Sequence, residues 1–394
     1  MSRVFVCHLL GLFVLGLFVF GLSVYGPAFG DAAWMPTVTP MSDPRWAPAY
    51  AMLPDGRGLI AGGYSFTADR CVATGDVFDP ATRRFSCCRG RLVVPRNFAQ
   101  ASPLPDGDIL VSGGYNTVLG SLDSAEVYHP VSQTFSLLPG RMTSPRELFT
   151  ATTLLDGRIL CVGGFNTHRG RTQQSADLFD PATQTFNPTG QLTNDRFGQD
   201  AVRLADGRVL VVGGTHWFVH HPTVTLASAE LFDPATGQFH LTRTMMNFAR
   251  DRPTATLLAS GQVLVAGGQN DSGEPMQAEL FDPATEKFTL LANPMVSPRM
   301  AHTAAILPGG DVLVTGGWSI SKRATLGDTE IFDPQRQKFI AAPSAPGGGH
   351  DQALLVFPSG LILIAGGKEV GGGKETSIST GYTRQISPPQ NSHQ

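Results

Sequence analysis

Six arginines recur along the chain at positions where a row of positive charges could bind an anion. Each stands 17 residues before a Gly-Gly pair. They are Arg45, Arg96, Arg146, Arg196, Arg250 and Arg299. On a ring with neighbours about 8 Å apart, unpaired guanidinium groups would repel each other by roughly 2 kcal/mol per pair at an effective dielectric of about 20. Such a ring therefore needs either an acidic ligand or carboxylate partners within the protein.

A second row of residues offers those partners. In six repeated segments an acid stands two residues before an aromatic residue, and the residue between them is apolar. The acids are Asp76, Glu126, Asp177, Glu230, Glu279 and Glu330. Side chains two apart in a strand share a face, so both faces of these strands are expected to be buried, and a buried carboxylate needs a partner. Structural ion pairs are the favoured interpretation of the arginines, and an acidic-ligand site is the alternative.

The longest loop of the repeated segments combines aromatic residues with histidines. It reads Thr215-His216-Trp217-Phe218-Val219-His220-His221. Trp217 and Phe218 are candidate ligand-binding residues that could stack on a sugar or on a partner, and simple packing is the alternative. His216 and His220 have the spacing of metal ligands on a helix, but this segment is a loop without a nearby carboxylate or cysteine. We therefore predict no metal site.

Loops of other repeats carry further candidate ligand-binding residues. They are Trp46, Trp318 and His350, accompanied by Tyr64, Tyr115 and Phe165. Together these residues predict an aromatic-lined depression. His302, His350 and Asp351 could provide a general acid and base. No catalytic residue is assigned, because the sequence contains no Ser-His-Asp spacing, phosphate-binding loop or zinc motif.

The cysteines leave two interpretations open. In an oxidising compartment Cys71 could form a disulfide with Cys87 or Cys88, and three free thiols are the alternative. Metal binding by this trio is disfavoured, because no histidine lies nearby in the sequence. Cys161 lies within the apolar run Ile159-Leu160-Cys161-Val162 and is expected to be a buried thiol.

The composition excludes several classes of protein. The 394 residues include 29 Lys and Arg against 32 Asp and Glu, a net charge of −3, so a nucleic-acid partner is disfavoured. Charged residues make up only 15 % of the chain. The 45 glycines and 29 prolines indicate many turns, and long helices are not expected.

An internal repeat organises the chain. A Gly-Gly pair preceded by an apolar run occurs seven times at intervals of 49 to 54 residues. The pairs begin at Gly62, Gly113, Gly163, Gly213, Gly267, Gly316 and Gly366. A two-residue turn such as Asp55-Gly56 stands before each pair and predicts a β-hairpin. In the first six repeats a segment such as Phe78-Asp79-Pro80 predicts a type I turn and a second hairpin.

Four short antiparallel strands in units of about 50 residues can bury their faces by stacking radially, as in a β-propeller. The Gly-Gly pair and the aromatic residues of the third and fourth strands resemble the Kelch repeat over residues 34 to 382. Phe mostly stands where that family has Tyr and Trp. The resemblance implies an all-β fold, a seven-bladed Kelch-type β-propeller with four antiparallel strands per blade.

The resemblance also bears on chemistry. The fold resembles the central propeller of galactose oxidase, a copper enzyme whose site needs two tyrosines, two histidines and a cysteine bonded to one tyrosine. Tyr128 and Tyr382 are assigned to blade positions, and no such set can be assembled from the others. The resemblance is therefore one of fold only, and no cofactor is expected.

The spacing also predicts how the ring closes. The seventh repeat has no fourth strand after Tyr382, whereas Trp34 precedes Arg45 by the same 11 residues that separate Phe85 from Arg96. We expect the N-terminal segment around Trp34 to supply the missing strand of the last blade. The propeller is assigned to residues 31–382, and residues 383–394 are interpreted as a polar disordered tail.

The first 30 residues resemble a targeting segment. Residues Val4 to Val24 are almost entirely apolar, follow a single Arg3, and lead to the small residues of Ala28-Phe29-Gly30. This pattern predicts a signal peptide over residues 1–30. An uncleaved membrane anchor is the alternative, because about 20 apolar residues can span a bilayer. Both predict export, to the extracellular space, the periplasm or the cell surface.

Together these observations favour an exported, monomeric binding or interaction scaffold for a glycan or a protein at the cell surface or outside the cell. The alternative is a small-sugar-modifying enzyme that uses the mouth of the channel, either epimerase- or mutarotase-like or a degenerate carbohydrate oxidase. A convergent set of titratable residues on one loop face would favour the enzyme.

Overall fold

The chain folds into seven four-stranded antiparallel sheets, the blades of a propeller. The computed structural model describes residues 32–219, 222–371 and 374–386. These residues form strands, turns and bends and no helix, which confirms the predicted all-β fold. Accordingly, none of them forms a helix long and apolar enough to cross a membrane. The segment interpreted as a signal peptide lies outside the described residues.

The first and second strands of each blade form its inner hairpin. The first strands are Ala49–Met52, Gln100–Pro103, Thr150–Thr153, Asp200–Arg203, Thr254–Leu257, Thr303–Ile306 and Ala353–Val356. The second strands are Gly58–Ala61, Ile109–Ser112, Ile159–Val162, Val209–Val212, Val263–Ala266, Val312–Thr315 and Leu361–Ala365. Every residue of the second strands is buried, which explains why the sequence is apolar there without alternation.

The third and fourth strands form the outer hairpin. The third strands are Gly75–Asp79, Ser124–His129, Ala176–Asp180, Ala229–Asp233, Glu279–Asp282, Thr329–Asp333 and Gly381–Gln385. The fourth strands are Arg84–Cys87, Thr134–Arg141, Thr185–Pro188, Gln238–Leu241, Lys287–Leu290, Lys338–Ala342 and, for the seventh blade, Met35–Pro36.

The first strands surround a central channel. The first strand of each blade contacts the first strand of the next, and Ala353–Val356 contacts Ala49–Met52, so the ring is closed. At one end of the ring lie the turns of the inner hairpins, such as Asp55-Gly56. The other end, where the chain enters the first strands, is called the mouth face below.

Local sequence explains both hairpins. In the inner hairpin of the first blade, Gly56 has φ +82° and its amide donates to the Leu53 carbonyl at 3.0 Å. In the outer hairpin, Asp79 accepts the Ala81 amide at 2.8 Å, and Arg83 closes the loop by donating to the Asp79 carbonyl at 2.8 Å. Arg83 has φ +55°, so the loop extends one left-handed residue beyond the predicted type I turn.

Aromatic residues of the third and fourth strands pack in pairs, as their spacing predicts. Phe179 pairs in register with Phe186, and their ring centroids lie 4.8 Å apart. The equivalent pairs in the five other complete repeats have centroids 4.9 to 5.0 Å apart. Because one ring of each pair is fully buried, the pair fixes the outer hairpin to the core of its blade.

The N-terminal strand closes the last blade, as predicted. Met35 pairs with Thr383 and Pro36 with Tyr382 in antiparallel register. Trp34 is buried, and its indole Nε1 donates to the Pro343 carbonyl at 2.9 Å. Residues more than 300 positions apart therefore complete one sheet.

The seventh blade corrects two details of the sequence analysis. Tyr382 pairs with Ile364 and so occupies the strand position that holds an acid in the other blades. The buried Arg384 pairs with Ile362 and occupies the position that holds an aromatic residue in the other blades. Tyr382 is therefore not the third-strand aromatic. The strand continues to Gln385 and Ile386 is buried, so the propeller extends past residue 382. Of the predicted tail, residues 387–394 lie outside the described residues.

The Gly-Gly pairs join neighbouring blades. In each pair the second glycine donates its amide to the carbonyl of the residue that begins the next blade's first-strand segment, at 2.7 to 3.0 Å. The donors and acceptors are Gly63 and Arg96, Gly114 and Arg146, Gly164 and Arg196, Gly214 and Arg250, Gly268 and Arg299, Gly317 and Gly349, and Gly367 and Arg45. The last of these joints closes the ring.

Candidate functional site

The six repeated arginines are buried and paired with the six repeated acids. Arg146 Nη2 lies 2.8 Å from Asp177 Oδ2, while its Nη1 donates to the carbonyls of Gly163 and Ser175 at 2.8 and 2.9 Å. The other pairs are Arg45–Asp76, Arg96–Glu126, Arg196–Glu230, Arg250–Glu279 and Arg299–Glu330, at 2.5 to 3.0 Å. The interpretation as structural ion pairs is confirmed.

This geometry removes the support for an anion-binding ring. Each of the six arginines is at most 1 % exposed. Burial lowers the pKa of Arg146 and outweighs the opposing effect of Asp177, as it does for its five counterparts. Each guanidinium directs its donors at carbonyls and a carboxylate within the protein, and none reaches the surface to meet a ligand. The six arginines are therefore not part of the candidate sites below.

Two residues beyond each arginine position, the backbone forms a collar around the channel. Its seven residues, including Asp351 two positions after Gly349 in the seventh blade, all have positive φ between +50° and +66°. They are Ala47, Phe98, Leu148, Gly198, Arg252, Ala301 and Asp351. Six amide-to-carbonyl hydrogen bonds link neighbours of this collar, for example Arg252 to Gly198 at 2.8 Å and Ala47 to Asp351 at 3.2 Å. The collar rigidly positions the side chains at the mouth of the channel.

A cluster of aromatic and charged groups lies beside the collar. Trp46 is half-buried, packs against His350 with ring centroids 6.0 Å apart, and donates its Nε1 proton to Asp351 Oδ2 at 3.0 Å. Trp318 approaches the other side of His350 at 6.3 Å. The structure thus brings together the predicted candidates Trp46, Trp318 and His350, which we call the mouth cluster together with Asp351 and Arg252.

The charges of the mouth cluster are arranged around one carboxylate. His350 Nδ1 lies 2.7 Å from Asp351 Oδ2, and Arg252 Nη1 contacts both oxygens of Asp351 at 3.1 Å. Burial alone would raise the pKa of Asp351, but Arg252, His350 and Trp46 outweigh it and lower the pKa to about 2. Asp351 therefore stays ionised and orients the His350 ring.

The remaining predicted aromatic residues also lie on the mouth face. Tyr64 contacts Trp46 edge-on at 6.4 Å, and Tyr115 pairs with Asn97 through an isolated β-bridge. Phe165 belongs to a separate group with Phe197 and Trp217, at centroid distances of 5.7 and 5.2 Å. The aromatic residues therefore form two groups, not one continuous lining.

The second group borders a polar cleft between the third and fourth blades. The half-buried Trp217 packs on Phe165, and its carbonyl accepts the Thr172 amide at 3.0 Å. Thr172 lines a cavity of about 270 Å³ whose lining residues are all polar or charged, including Arg171 and Asp195. We call this cavity the blade 3/4 cleft.

The histidines of the long loop do not point to a metal site. His216 Nδ1 lies 2.5 Å from Asp195 Oδ1, so this histidine has a protein partner. His220 and His221 lie outside the described residues. Among the residues that are described, no group of three or more His, Cys, Asp or Glu side chains is placed to hold a metal ion. Phe218 is 39 % exposed next to Trp217.

Comparison with known families agrees with this architecture. The sequence model of the Kelch motif matches residues 101–142, which contain the inner hairpin, the Gly-Gly pair and both aromatic residues of the second blade. Five further blades repeat this arrangement, and the seventh blade repeats the inner hairpin and the Gly-Gly pair without the aromatic pair. The chain is a seven-bladed β-propeller that carries a Kelch motif. No curated protein sequence matches it significantly.

Kelch propellers generally mediate protein interactions, and the fold indicates a binding or interaction scaffold.

The disulfide considered from the sequence is not formed in this Kelch propeller. Cys71, Cys87, Cys88 and Cys161 are all free thiols. The Cys71 sulfur contacts the Tyr115 carbonyl on the mouth face, whereas Cys88 lies on the outer edge of the blade and contacts the Tyr128 hydroxyl. The Cys71 and Cys88 thiols therefore contact different residues and not each other. Cys161 is buried, as expected.

The Kelch propeller also contains a channel site that the sequence analysis missed. A cavity of about 480 Å³ lies on the axis, and the residues lining it include Tyr50, Asp200, Arg252 and His302. One signal was present in the sequence. The residue four positions after each repeated arginine is Ala, Gln or Thr in five repeats and Asp200 in the sixth. A single acid among small and neutral residues at one repeat position indicates a local role.

Burial shifts the titration of these channel residues. It raises the pKa of Asp200 to about 6, opposed by hydrogen bonds from the amides of Ala255 and Ala201. The pKa of Tyr50 rises to about 12 through burial and the charge of Asp200. Burial, with the charges of Arg299 and Arg250, lowers the pKa of His302 to about 3, so this histidine is neutral.

Proposed function

We propose that this Kelch propeller is an exported interaction scaffold that binds a carbohydrate in the blade 3/4 cleft. The observation that carries the proposal is the combination of an indole face with a wholly polar cavity. Carbohydrates present both apolar C–H faces, which stack on aromatic rings, and hydroxyl groups, which need hydrogen-bond donors and acceptors.

The cleft supplies both kinds of contact. The half-buried Trp217 adjoins the cleft through its carbonyl, which accepts the amide of the wall residue Thr172, and the cavity wall offers amide, hydroxyl, carboxylate and guanidinium groups, among them Gln173, Asp195 and Arg171. The inner part of this wall is preorganised. Thr172 Oγ1 donates to Asp195 Oδ2 at 2.6 Å, and Gln173 Nε2 donates to the Pro145 carbonyl at 2.7 Å. A volume of about 270 Å³ suits one or two sugar rings.

Glycan-array binding tests the proposal. We expect the wild-type protein to bind a restricted set of glycans and Trp217→Ala to lose at least tenfold in affinity, because the stacking surface is removed. Leu155→Ala is the matched control, since Leu155 is an exposed apolar residue beside the inner-hairpin turn at the opposite end of the propeller. That variant should bind like the wild type.

The arginines of the cleft refine this test. If the preferred glycans carry carboxylate or sulfate groups, Arg171→Ala should reduce binding to them more than to neutral glycans. A folded protein that binds no glycan on the array, or a Trp217→Ala variant that binds as well as the wild type, would contradict a carbohydrate site here. The first result would direct attention to a protein partner for the scaffold.

Export is part of the proposal and is supported by the sequence of residues 1–30. The apolar segment Val4 to Val24 and the small residues at Ala28 and Gly30 predict cleavage before Asp31. Intact-mass analysis of the protein recovered from outside the cytoplasm should give a chain that begins at Asp31. A chain that retains residue 1 and sediments with membranes would indicate the anchor instead.

One observation favours a second candidate function, acid–base chemistry on a small sugar at the mouth cluster. His350 is oriented by Asp351, which leaves its Nε2 facing away from that contact, and two indole rings flank it. A histidine oriented in this way is suited to act as a general base. The required proton donor is not evident among its contacts, which makes this the weaker candidate.

Anomer exchange measured by NMR separates the two functions. An enzyme of this kind would accelerate interconversion of the α and β anomers of an aldose, and His350→Gln would abolish the acceleration while leaving glycan binding in the blade 3/4 cleft intact. No acceleration by the folded wild-type protein, over a panel of common aldoses, would eliminate this candidate.

A further inference from the structure

The axial channel is a separate cavity with its own chemistry. Its wall carries mainly small residues, with alanine the commonest, which keeps a volume of about 480 Å³ open between the first strands. The mouth cluster borders it on one side, since Arg252 and Asp351 line its rim. The blade 3/4 cleft shares no lining residue with it.

Asp200 supplies a fixed negative charge inside this channel. Its Oδ2 accepts the amide of Ala255 at 2.7 Å, and its Oδ1 accepts its neighbour Ala201's amide at 2.8 Å. Both oxygens keep a further lone pair, because a carboxylate oxygen can accept more than one hydrogen bond. The first amide belongs to the next blade, so the carboxylate is held in place by two blades.

No cation of the described residues compensates this charge. Asp200 forms no ion pair among the described residues, and Arg252 of the cavity wall contacts Asp351 at 3.1 Å. His302 also lines the cavity, but it is neutral and accepts or donates a hydrogen bond with Thr254 Oγ1 at 2.9 Å. The half-buried carboxylate of Asp200 has no cationic partner, which is costly unless a cation approaches it or it takes up a proton.

Further acceptors lie on the same wall. Oε1 of Gln199 and Oγ1 of Thr303 are buried and have no hydrogen-bond partner among the described residues, and both residues belong to the cavity wall. Gln199 is 7 % exposed, so its oxygen is shielded from bulk water. Tyr50 adds a half-buried phenol ring to the wall, a surface that attracts cations through its π face.

We propose that the axial channel binds a small organic cation, a primary alkylammonium group whose N–H donors meet the carboxylate of Asp200. A primary ammonium has three donors, two of which match the further lone pairs of the two carboxylate oxygens. Its alkyl part would lie along the alanine-rich wall. A metal ion fits less well, because no group of three metal-ligating side chains occurs among the described residues.

Isothermal titration calorimetry with n-butylammonium chloride tests the proposal, with n-butanol as the uncharged probe of similar size. We expect measurable binding of the ammonium and at least tenfold weaker binding of the alcohol. Asp200→Asn should reduce ammonium affinity at least tenfold, since a hydrogen bond to a charged group has typically that effect or more.

Asp206→Asn is the matched control. It removes the same charge from an exposed inner-hairpin turn of the same blade and should bind the ammonium like the wild type. Should Asp200→Asn fail to fold, the amide resonances of Ala201 and Ala255 provide a second measurement in the wild-type protein, because both amides donate to the proposed carboxylate. They are expected to shift on addition of the ammonium and not of the alcohol.

Three results would overturn the proposal: equal binding of ammonium and alcohol, equal ammonium affinity of the wild type and Asp200→Asn, or unmoved Ala201 and Ala255 resonances at saturating ammonium. The outcome is independent of the glycan experiment. Trp217→Ala leaves the channel intact, and Asp200→Asn leaves the blade 3/4 cleft intact.

Discussion

Each repeated arginine joins several strands of its blade to the neighbouring blade. The side chain of Arg146 binds the carbonyl that ends the second strand of its blade, a carbonyl just before the third strand, and the carboxylate of Asp177 within that strand. Its own carbonyl accepts the Gly114 amide from the preceding blade. An arginine can do this because its guanidinium carries five donors in a fixed plane.

Removing one of these arginines should destabilise the fold. Arg146→Ala leaves Asp177 buried without a cation, so we expect the free energy of unfolding to fall by about 3–5 kcal/mol. Urea unfolding at neutral pH measures the change. Arg158→Ala is the control, because Arg158 pairs with Asp156 at the surface and should cost less than about 1 kcal/mol. Equal effects of the two substitutions would contradict the role assigned to burial.

Asp200 should make stability depend on pH. Its pKa is about 6 in the folded protein against an ordinary 3.8, so between these values the folded state binds more protons than the unfolded state. Stability therefore falls as pH rises from about 4 to about 6, by roughly 3 kcal/mol for a shift of about two pH units.

The comparison of Asp200→Asn with the wild type isolates this contribution. We expect the variant to match the wild type near pH 4 and to become relatively more stable by up to about 3 kcal/mol at pH 7, measured by urea unfolding across the range. Glu147, whose pKa burial raises to about 7, and Asp251 titrate in both proteins and cancel in the difference. A difference that does not vary with pH would refute a raised pKa at Asp200.

At the level of elements, the Gly-Gly pair acts as the joint between blades. Gly163 has φ +68°, and a Cβ there would lie 2.8 Å from the Arg196 carbonyl of the next blade and 2.6 Å from Gln199 Nε2. This residue must adopt a left-handed backbone conformation and must also allow another blade to approach closely. Only glycine satisfies both, which explains why the pair recurs in all seven repeats.

The joint predicts a difference between two glycine substitutions. Gly261→Ala changes a turn residue with φ +84° and no neighbouring atom within 4 Å, so it should cost only the backbone strain of about 1–2 kcal/mol. Gly163→Ala adds a clash with a neighbouring backbone and should cost at least about 2 kcal/mol more. Thermal unfolding of both variants measures this difference, and equal losses would mean that the joint between blades contributes little.

For the whole molecule, the N-terminal strand decides whether the ring is closed. The seventh blade contains Met35–Pro36 as its outer strand and the buried Trp34 beside it, while Gly367 donates to the Arg45 carbonyl at the joint with the first blade. Each blade of a ring is stabilised by both neighbours, so a break at one place exposes two faces.

A chain that begins at Ser42 should lose stability throughout the ring. It lacks the outer strand of the seventh blade and the core residue Met41. We expect faster amide hydrogen exchange even in the second strand of the fourth blade, Val209–Val212, on the opposite side of the propeller. Met35→Ala, which keeps the strand and changes a side chain 52 % exposed, is the control and should leave exchange unchanged. Faster exchange confined to the seventh blade would show that the closure acts only locally.

Much of the fold could be predicted because the repeat encodes it locally. The turn before each Gly-Gly pair, the aromatic residue two positions before a proline and the alternation of acid and aromatic each specify one feature of a blade. The first occurs seven times and the other two six times, which reduces the ambiguity of any single copy. The errors fell in the last blade, where Tyr382 and Arg384 occupy places that the repeat pattern assigns to other residue types. A pattern cannot set the register of a strand that departs from it.

The sequence by itself determined the architecture, the pairing of arginine with acid and the closure by the N-terminal strand, because these depend on residue types at fixed spacing. The tertiary structure alone decided the sites. It separated Cys71 from Cys88, divided the aromatic residues into two groups, and placed Asp200, Arg252 and Tyr50 on one channel wall. These residues come from different blades, and only the curvature of the closed ring determines which side chains of distant repeats face each other.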